Sequence, residues 1–191
     1  NGAGKSTLIG MLATLVTPTS GRIMYGERPA SRGGPDIRRC IGLLAHELQG
    51  DEHTILGVDF ESVDVTDRHS VNHTFDIFRP ELVIHCAALT AVDDCAEHPD
   101  DAMNVNAFGT QAVALACQAY DVALVYMSTN EVFDGRTQRP YLEYDRPNPI
   151  NPYAYSKWVG EQIVRDLVRK HYIVRTAWLF AHGGQNFVHS I

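Results

Sequence analysis

From about Glu47 onward, short apolar runs alternate with amphipathic stretches, and that alternation is the strongest constraint on what this chain can fold into. Parallel strands need a crossover connection between them, and a helix is the usual crossover. Repeated strand–helix alternation therefore builds a parallel sheet covered by helices. The runs predict strands near Thr54–Val58, Leu82–Cys86, Ala123–Met127 and Tyr172–Arg175. They predict helices near Arg68–Phe78, Asp101–Tyr120 and Tyr153–Arg169. The expected fold class is α/β, a doubly wound parallel sheet with helices on both faces. With 191 residues, 45% of them hydrophobic, one good core is the limit.

The first residues follow a different pattern. Asn1-Gly2-Ala3-Gly4-Lys5-Ser6-Thr7 reads as the end of a phosphate-binding loop, in which backbone N–H groups and a lysine cradle phosphate oxygens. Leu8, Ile9, Met11, Leu12 and Leu15 give the helix that should follow, and Thr17-Pro18-Thr19-Ser20-Gly21 stops it. The segment over about residues 1–47, through Ile37–Glu47, resembles the opening of an ABC-transporter ATPase. That resemblance implies ATP and magnesium as ligands of Gly2, Gly4, Lys5, Ser6 and Thr7. Neither an LSGGQ-like signature nor an apolar strand ending in Asp-Glu follows, so the ATP-binding reading ends with this segment.

Composition excludes several classes. A formal charge of −7 gives no electrostatic basis for binding nucleic acid or an anionic membrane surface. Cys40, Cys86, Cys95 and Cys117 form no CxxC pair, and the nine histidines show no ligand spacing, so no metal site is expected. No apolar run approaches the roughly 20 residues of a membrane helix, and the start lacks the order of a signal peptide, so the expected compartment is the cytoplasm.

The chemistry is concentrated late in the chain. Tyr153-Ala154-Tyr155-Ser156-Lys157 places a phenol and an ammonium four residues apart, on one face of a helix. A nearby cation favours tyrosinate, so Tyr153 can serve as an acid or base near neutral pH. Alone, this spacing occurs by chance on many solvated helices. Upstream, however, the strand Ala123–Met127 runs into Ser128-Thr129, and open α/β sheets bind their ligands at the carboxyl ends of strands. There Thr129 can hydrogen-bond a carbonyl and stabilise charge on its oxygen.

In order and spacing, Asp64-Val65-Thr66-Asp67, His85-Cys86-Ala87-Ala88, Thr90-Ala91-Val92-Asp93, Val105-Asn106, Ser128-Thr129 with Val132-Phe133-Asp134-Gly135, Pro149–Tyr153 and Arg175-Thr176-Ala177-Trp178 resemble the dTDP-4-dehydrorhamnose reductases. These are extended short-chain dehydrogenases with an NAD(P)-binding Rossmann-like domain. The resemblance implies reduction of the C4 ketone of a dTDP-4-dehydro-6-deoxy sugar by NADPH or NADH. Thr129 would polarise the ketone, Tyr153 would donate the proton, and Lys157 would hold the nicotinamide ribose while lowering the Tyr pKa. Asp64 and Val65 would lie by the adenine, and Ala87 and Ala88 would line the cofactor groove. Asn106 would either support Lys157 or make a bond internal to its helix. The chain departs from the usual STDYVFDG at Asn130 and Glu131, and Leu89 stands where a Tyr is usual.

A dinucleotide site also needs a glycine-rich turn between its first strand and a helix N-terminus. Gly42 can stand as the second glycine of that turn and Ala45 as its third. Arg39 then falls at the first, and the apolar Cys40–Leu44 run becomes the stand-in for the first strand. The acid expected about twenty residues on is Asp59, positioned for the adenine ribose. These observations divide the chain into an ATPase-like segment, 1–47, and a reductase domain, 48–191, with a seam between Gly42 and Gly50. The reductase domain is expected to lack its own first strand and the substrate lobe that would follow Asn186-Phe187-Val188. The partners expected are a dTDP-sugar and, as an open alternative, a second copy in a homodimer. Two other functions remain open: an ATP-binding transporter module, and a non-catalytic regulatory relative of the reductase.

Overall fold

The computed structural model describes Met24–Tyr25, Arg28–Pro29, Leu43–Gln49 and residues 52–177. Seven strands form one sheet: β1 (Met24–Tyr25), β2 (Arg28–Pro29), β3 (Leu43–Gln49), β4 (Glu52–Gly57), β5 (Leu82–His85), β6 (Ala123–Thr129) and β7 (His171–Thr176), in the order β2-β1-β4-β3-β5-β6-β7. Strands β5, β6 and β7 run parallel, as expected of a doubly wound sheet, and their carboxyl ends at His85, Thr129 and Thr176 share one edge.

The central slot between β4 and β5 holds β3, which overlaps the expected stand-in only at Leu43 and Leu44. Strand β3 is antiparallel to both neighbours, pairing Leu43 with His85 and Gln49 with Glu52. The reason lies in the sequence. Only Gly50 and Asp51 separate β3 from β4, and a two-residue connection joins antiparallel strands, whereas a parallel crossover needs about a dozen residues or more. The expectation that Ala45 and its successors open a helix is therefore corrected: Ala45–Leu48 are strand. Gly42 lies outside the described residues.

Helix α1 (Arg68–Phe78) begins where the Asp67 side chain accepts from the His69 N–H. It ends at Arg79, whose left-handed backbone (φ 52°, ψ 58°) precedes Pro80. Short α2 (Val92–Glu97) and α3 (Pro99–Met103) follow β5, and α3 continues through a π-turn, Asn104–Gly109, into α4 (Thr110–Ala119). Helix α5 (Pro152–Leu167) starts on an Asn151 cap, whose Oδ1 accepts from the Ala154 N–H at 2.7 Å, with Pro152 at the first helical position.

Helix α1 packs against α4, and α4 against α5, so the long described helices form one layer over the sheet. The helix expected from Leu8, Ile9, Met11, Leu12 and Leu15 lies outside the described residues. Val65, Val71, Phe75, Val83, Val113, Leu124, Tyr126 and Val164 fill the core between the layers. Among the described residues no helix is long and apolar enough to cross a membrane.

Candidate active site

Thr129 is the last residue of β6, and its hydroxyl accepts from the Glu131 N–H at 3.2 Å, opening a 3-10 turn over Asn130–Val132. The Glu131 carboxylate accepts from Asn151 Nδ2 at 2.8 Å, and Asn151 is the cap of α5. One polar clasp thus ties the strand end carrying Thr129 to the helix start carrying Tyr153. The Thr129 side chain lies close enough to Tyr153 to lower its pKa against the effect of burial.

Burial raises the Tyr153 pKa, and the Thr129 interaction only partly opposes it, while Glu131 and Cys95 raise it further. The expected depression by Lys157 is not what the site shows: the phenol is held protonated, the state a proton donor needs. Lys157 is 2% exposed, and burial pulls its pKa down to about 8, against the charges of Cys86 and Glu161. Among the described residues no atom accepts a hydrogen bond from its Nζ, which lies over the Tyr126 ring at 4.3 Å.

Asn106 sits fully buried in the π-turn, a backbone irregularity frequent at functional sites. Its Oδ1 accepts from the Leu89 N–H at 2.7 Å. Its Nδ2 donates to the Leu89 carbonyl at 3.0 Å and to Ser156 Oγ at 2.9 Å. The side chain therefore staples the loop after β5 to α5; among the described residues it makes no hydrogen bond to the Lys157 side chain or to its own helix backbone.

The remaining groove residues follow the same carboxyl edge. A cavity of about 260 Å³ is lined by Phe60, Asp64, Val65, Thr66, Ala88, Leu89 and Val105. Asp64 braces it by accepting from the Thr66 N–H and hydroxyl, both at 2.8 Å. Ala87 is buried beside it. Asp59 follows β4 and accepts from the Ser62 N–H at 3.1 Å and hydroxyl at 2.7 Å, shaping the turn before the cavity. Gly2, Gly4, Lys5, Ser6 and Thr7 lie outside the described residues, as does Gly42.

A nicotinamide dinucleotide fits the described residues at both ends. The cavity by Asp64 and Ala88 is apolar with a few polar groups, as a base requires, and Lys157 has unspent donors for a ribose.

Three features were missed by sequence reasoning. Tyr126 is one. Glu161 is the second, buried one turn beyond Lys157 and bonded to Ser128 Oγ at 2.7 Å and to Arg175. The Glu131–Asn151 clasp is the third. The available signal for Tyr126 was a tyrosine inside an apolar strand, because a buried hydroxyl requires partners.

Comparison with known proteins agrees with this geometry. Residues 42–191 match the RmlD substrate binding domain family. The chain is 40% identical over 159 residues to the dTDP-4-dehydrorhamnose reductase of Streptomyces griseus, covering 80% of this chain and 52% of that protein. It is 37% identical over 157 residues to the dTDP-4-keto-6-deoxy-D-glucose reductase of Streptomyces niveus, covering 80% and 54%. The crystal structure of the Bacillus anthracis dTDP-4-dehydrorhamnose reductase in complex with NADP superposes with a TM-score of 0.70 at 41% identity, covering 75% of this chain and 51% of that one. The chain spans about half the length of the curated relatives it matches. By the extent of these matches and by the placement of Thr129, Tyr153 and Lys157, the chain belongs to the RmlD substrate binding domain family.

Proposed function

We propose that this chain carries the catalytic site of an NAD(P)H-dependent reductase acting on the C4 ketone of a dTDP-4-dehydro-6-deoxy sugar, as in dTDP-L-rhamnose synthesis. The observation that carries the reading is the meeting of Tyr153 with Thr129 at the carboxyl edge of the sheet, one helical turn from a buried Lys157 with free donors. A bound NADPH or NADH supplies the hydride. The protein's part is electrostatic and positional. The Thr129 hydroxyl hydrogen-bonds the ketone oxygen and stabilises the charge that develops there. Tyr153, held protonated, gives its phenolic proton to that oxygen, so ketone, hydride and proton together yield the alcohol. The Lys157 ammonium bonds the nicotinamide ribose and offsets the negative charge left on the Tyr153 oxygen.

Asp64, Val65, Ala87 and Ala88 are proposed as the adenine end of the cofactor site, Asp59 as its ribose acid, and Gly42 as part of the turn by the pyrophosphate. Asn106 is proposed to act indirectly, through the Leu89 loop and Ser156. The relatives' dTDP-sugar substrates and the cytoplasm complete the reading, with a homodimer as its proposed assembly. A titration following nicotinamide fluorescence tests it first: saturable binding of NADPH or NADH supports the reading, and the absence of binding to either contradicts it. Steady-state assays then read the roles apart, with Tyr153→Phe losing kcat by about a hundredfold or more.

The segment 1–47 is proposed separately as an ABC ATPase-like piece joined to the reductase domain 48–191. The order Asn1–Thr7 supports it. A parallel titration with ATP and magnesium, compared with Lys5→Ala, tests whether that loop binds nucleotide.

A further inference from the structure

Lys157 lies against a residue of the sheet that the proposed chemistry does not itself require. Tyr126 is fully buried in the middle of β6, and its ring centroid is 4.3 Å from the Lys157 Nζ above it. The ring is fixed on several sides. The His85 ring packs beside it at 5.6 Å with a 42° tilt. Its hydroxyl donates to the Lys157 carbonyl at 3.3 Å and reaches the Asn106 carbonyl at 3.5 Å. On the helix side, a Cβ added at Gly160 would stand 2.3 Å from the Tyr126 hydroxyl oxygen and 2.9 Å from Cζ, so only glycine lets α5 come this close to the ring.

A buried ammonium needs compensation, and the two ways of giving it have different consequences. A carboxylate partner would accept the ammonium's hydrogen bonds and leave fewer for a ligand. A ring face attracts the charge through its quadrupole and takes up no acceptor position. Among the described residues no oxygen accepts a hydrogen bond from Nζ; the Tyr126 ring face lies against it, and Cys86 and Glu161 act on it through charge without taking a donor.

We propose that Tyr126 is a positioning residue for this site: its ring face, wedged between His85 and Gly160, holds the Lys157 ammonium in place while leaving its donors for the cofactor ribose. The functional half of this statement rests on the reductase reading; the geometric half does not.

The protein has three lysines, Lys5, Lys157 and Lys170, so carbon-13 labelling at the lysine ε position gives a spectrum in which each can be followed. Loss of one signal in Lys157→Arg assigns Lys157. Protons above a ring face are shielded, so the Lys157 ε signal is expected upfield of Lys170 in the wild type and in Tyr126→Phe, and back in the Lys170 range in Tyr126→Leu. In parallel, kcat is expected to fall about thirtyfold in Tyr126→Leu and to stay near wild type in Tyr126→Phe, with KM for the sugar nucleotide unchanged. A Lys157 signal coincident with Lys170 in the wild type overturns the proposal, as does an upfield shift that survives in Tyr126→Leu. So does an equal loss of kcat in the Phe and Leu variants, which would place the effect in the hydroxyl or the fold. If Tyr126→Leu does not fold, the wild-type and Tyr126→Phe spectra still decide it. The predicted shifts in a wild type that oxidises no NADPH or NADH would uphold the hold on Lys157 and reject the reductase reading.

Discussion

Arg175 on β7 grips the buried Glu161 of α5 in a fork, its Nε donating to Oε1 at 2.8 Å and its Nη2 to Oε2 at 2.6 Å. Ser128, next to Thr129, donates to the same carboxylate at 2.7 Å. One ion pair thus joins three pieces that must be in register for the site to exist: the strand end with Thr129, the helix with Tyr153 and Lys157, and the neighbouring strand β7. The guanidinium also lies 4.9 Å from the Phe133 ring, which stacks on Tyr141 at 4.2 Å and so anchors the loop before α5.

Removing Arg175 leaves the buried Glu161 with only the half-exposed Arg165, 3.7 Å away, to offset its charge, and breaking a buried pair costs up to about 3–5 kcal/mol. Arg175→Met is therefore expected to lower the free energy of unfolding by about that much in urea titrations. The double variant Arg175→Met, Glu161→Leu should recover most of it, because an apolar pair of similar size is often neutral. A double variant no more stable than Arg175→Met would count against this account of the pair.

His85 supplies a pH signature. It is fully buried beneath Tyr126, its Nε2 bonded to Thr110 Oγ1 at 2.9 Å and its Nδ1 without a partner among the described residues. Because Thr110 gives its own proton to the Asn106 carbonyl, Nε2 carries a hydrogen and donates it to Thr110 Oγ1. Burial, helped by Lys157, holds the ring's pKa at about 3 against an ordinary 6.5. Above pH about 6.5 neither the folded nor the unfolded ring is protonated. Between 6.5 and about 3 only the unfolded chain takes up the proton, so stability falls as the pH drops through that window. Between pH 7 and 5 the wild type should lose about 2 kcal/mol more than His85→Leu, as measured by chemical unfolding. Equal losses in the two proteins would show that His85 is protonated in the folded state.

Asn106 closes the loop after β5 with both of its amide atoms. Asn106→Ala removes the partners of the Leu89 N–H and carbonyl and of Ser156 Oγ together. A loss of about 2–3 kcal/mol is expected, together with faster hydrogen exchange at the Leu89 amide than at amides of β6. Unchanged protection of Leu89 would mean that the loop is held by other contacts.

How much of this was legible in the sequence depended on the range of the interaction concerned. Helix α1 was read residue for residue, because its start at Asp67 and its stop before Pro80 are local signals. Strands β5, β6 and β7 were found within two residues at each end, since buried apolar runs mark themselves. The direction of β3 was not found, although Gly50-Asp51 between two apolar stretches is a hairpin signal. An apolar run reads the same in either direction, and Gly42 offers a competing glycine-rich-turn reading of the same stretch. Thr129, Tyr153 and Lys157 stand out as candidates because their types and spacing suit proton transfer at a carbonyl. Tyr126 on Lys157 and Arg175 on Glu161 span 31 and 14 residues, and only the packing of α5 on the sheet brings them together. The short α2 and the π-turn at Asn104–Gly109 gave no periodic signal to read.

The central claim is a hydride received at C4 of a dTDP-4-dehydro-6-deoxy sugar while Tyr153 provides the proton. The most direct test incubates the protein and the sugar nucleotide with NADPH or NADH deuterated at the transferable position, and analyses the product by mass spectrometry and NMR. The account predicts one deuterium at C4 of the product with the wild type and almost none with Tyr153→Phe; unlabelled product, or no product from a wild type that binds both ligands, would contradict it.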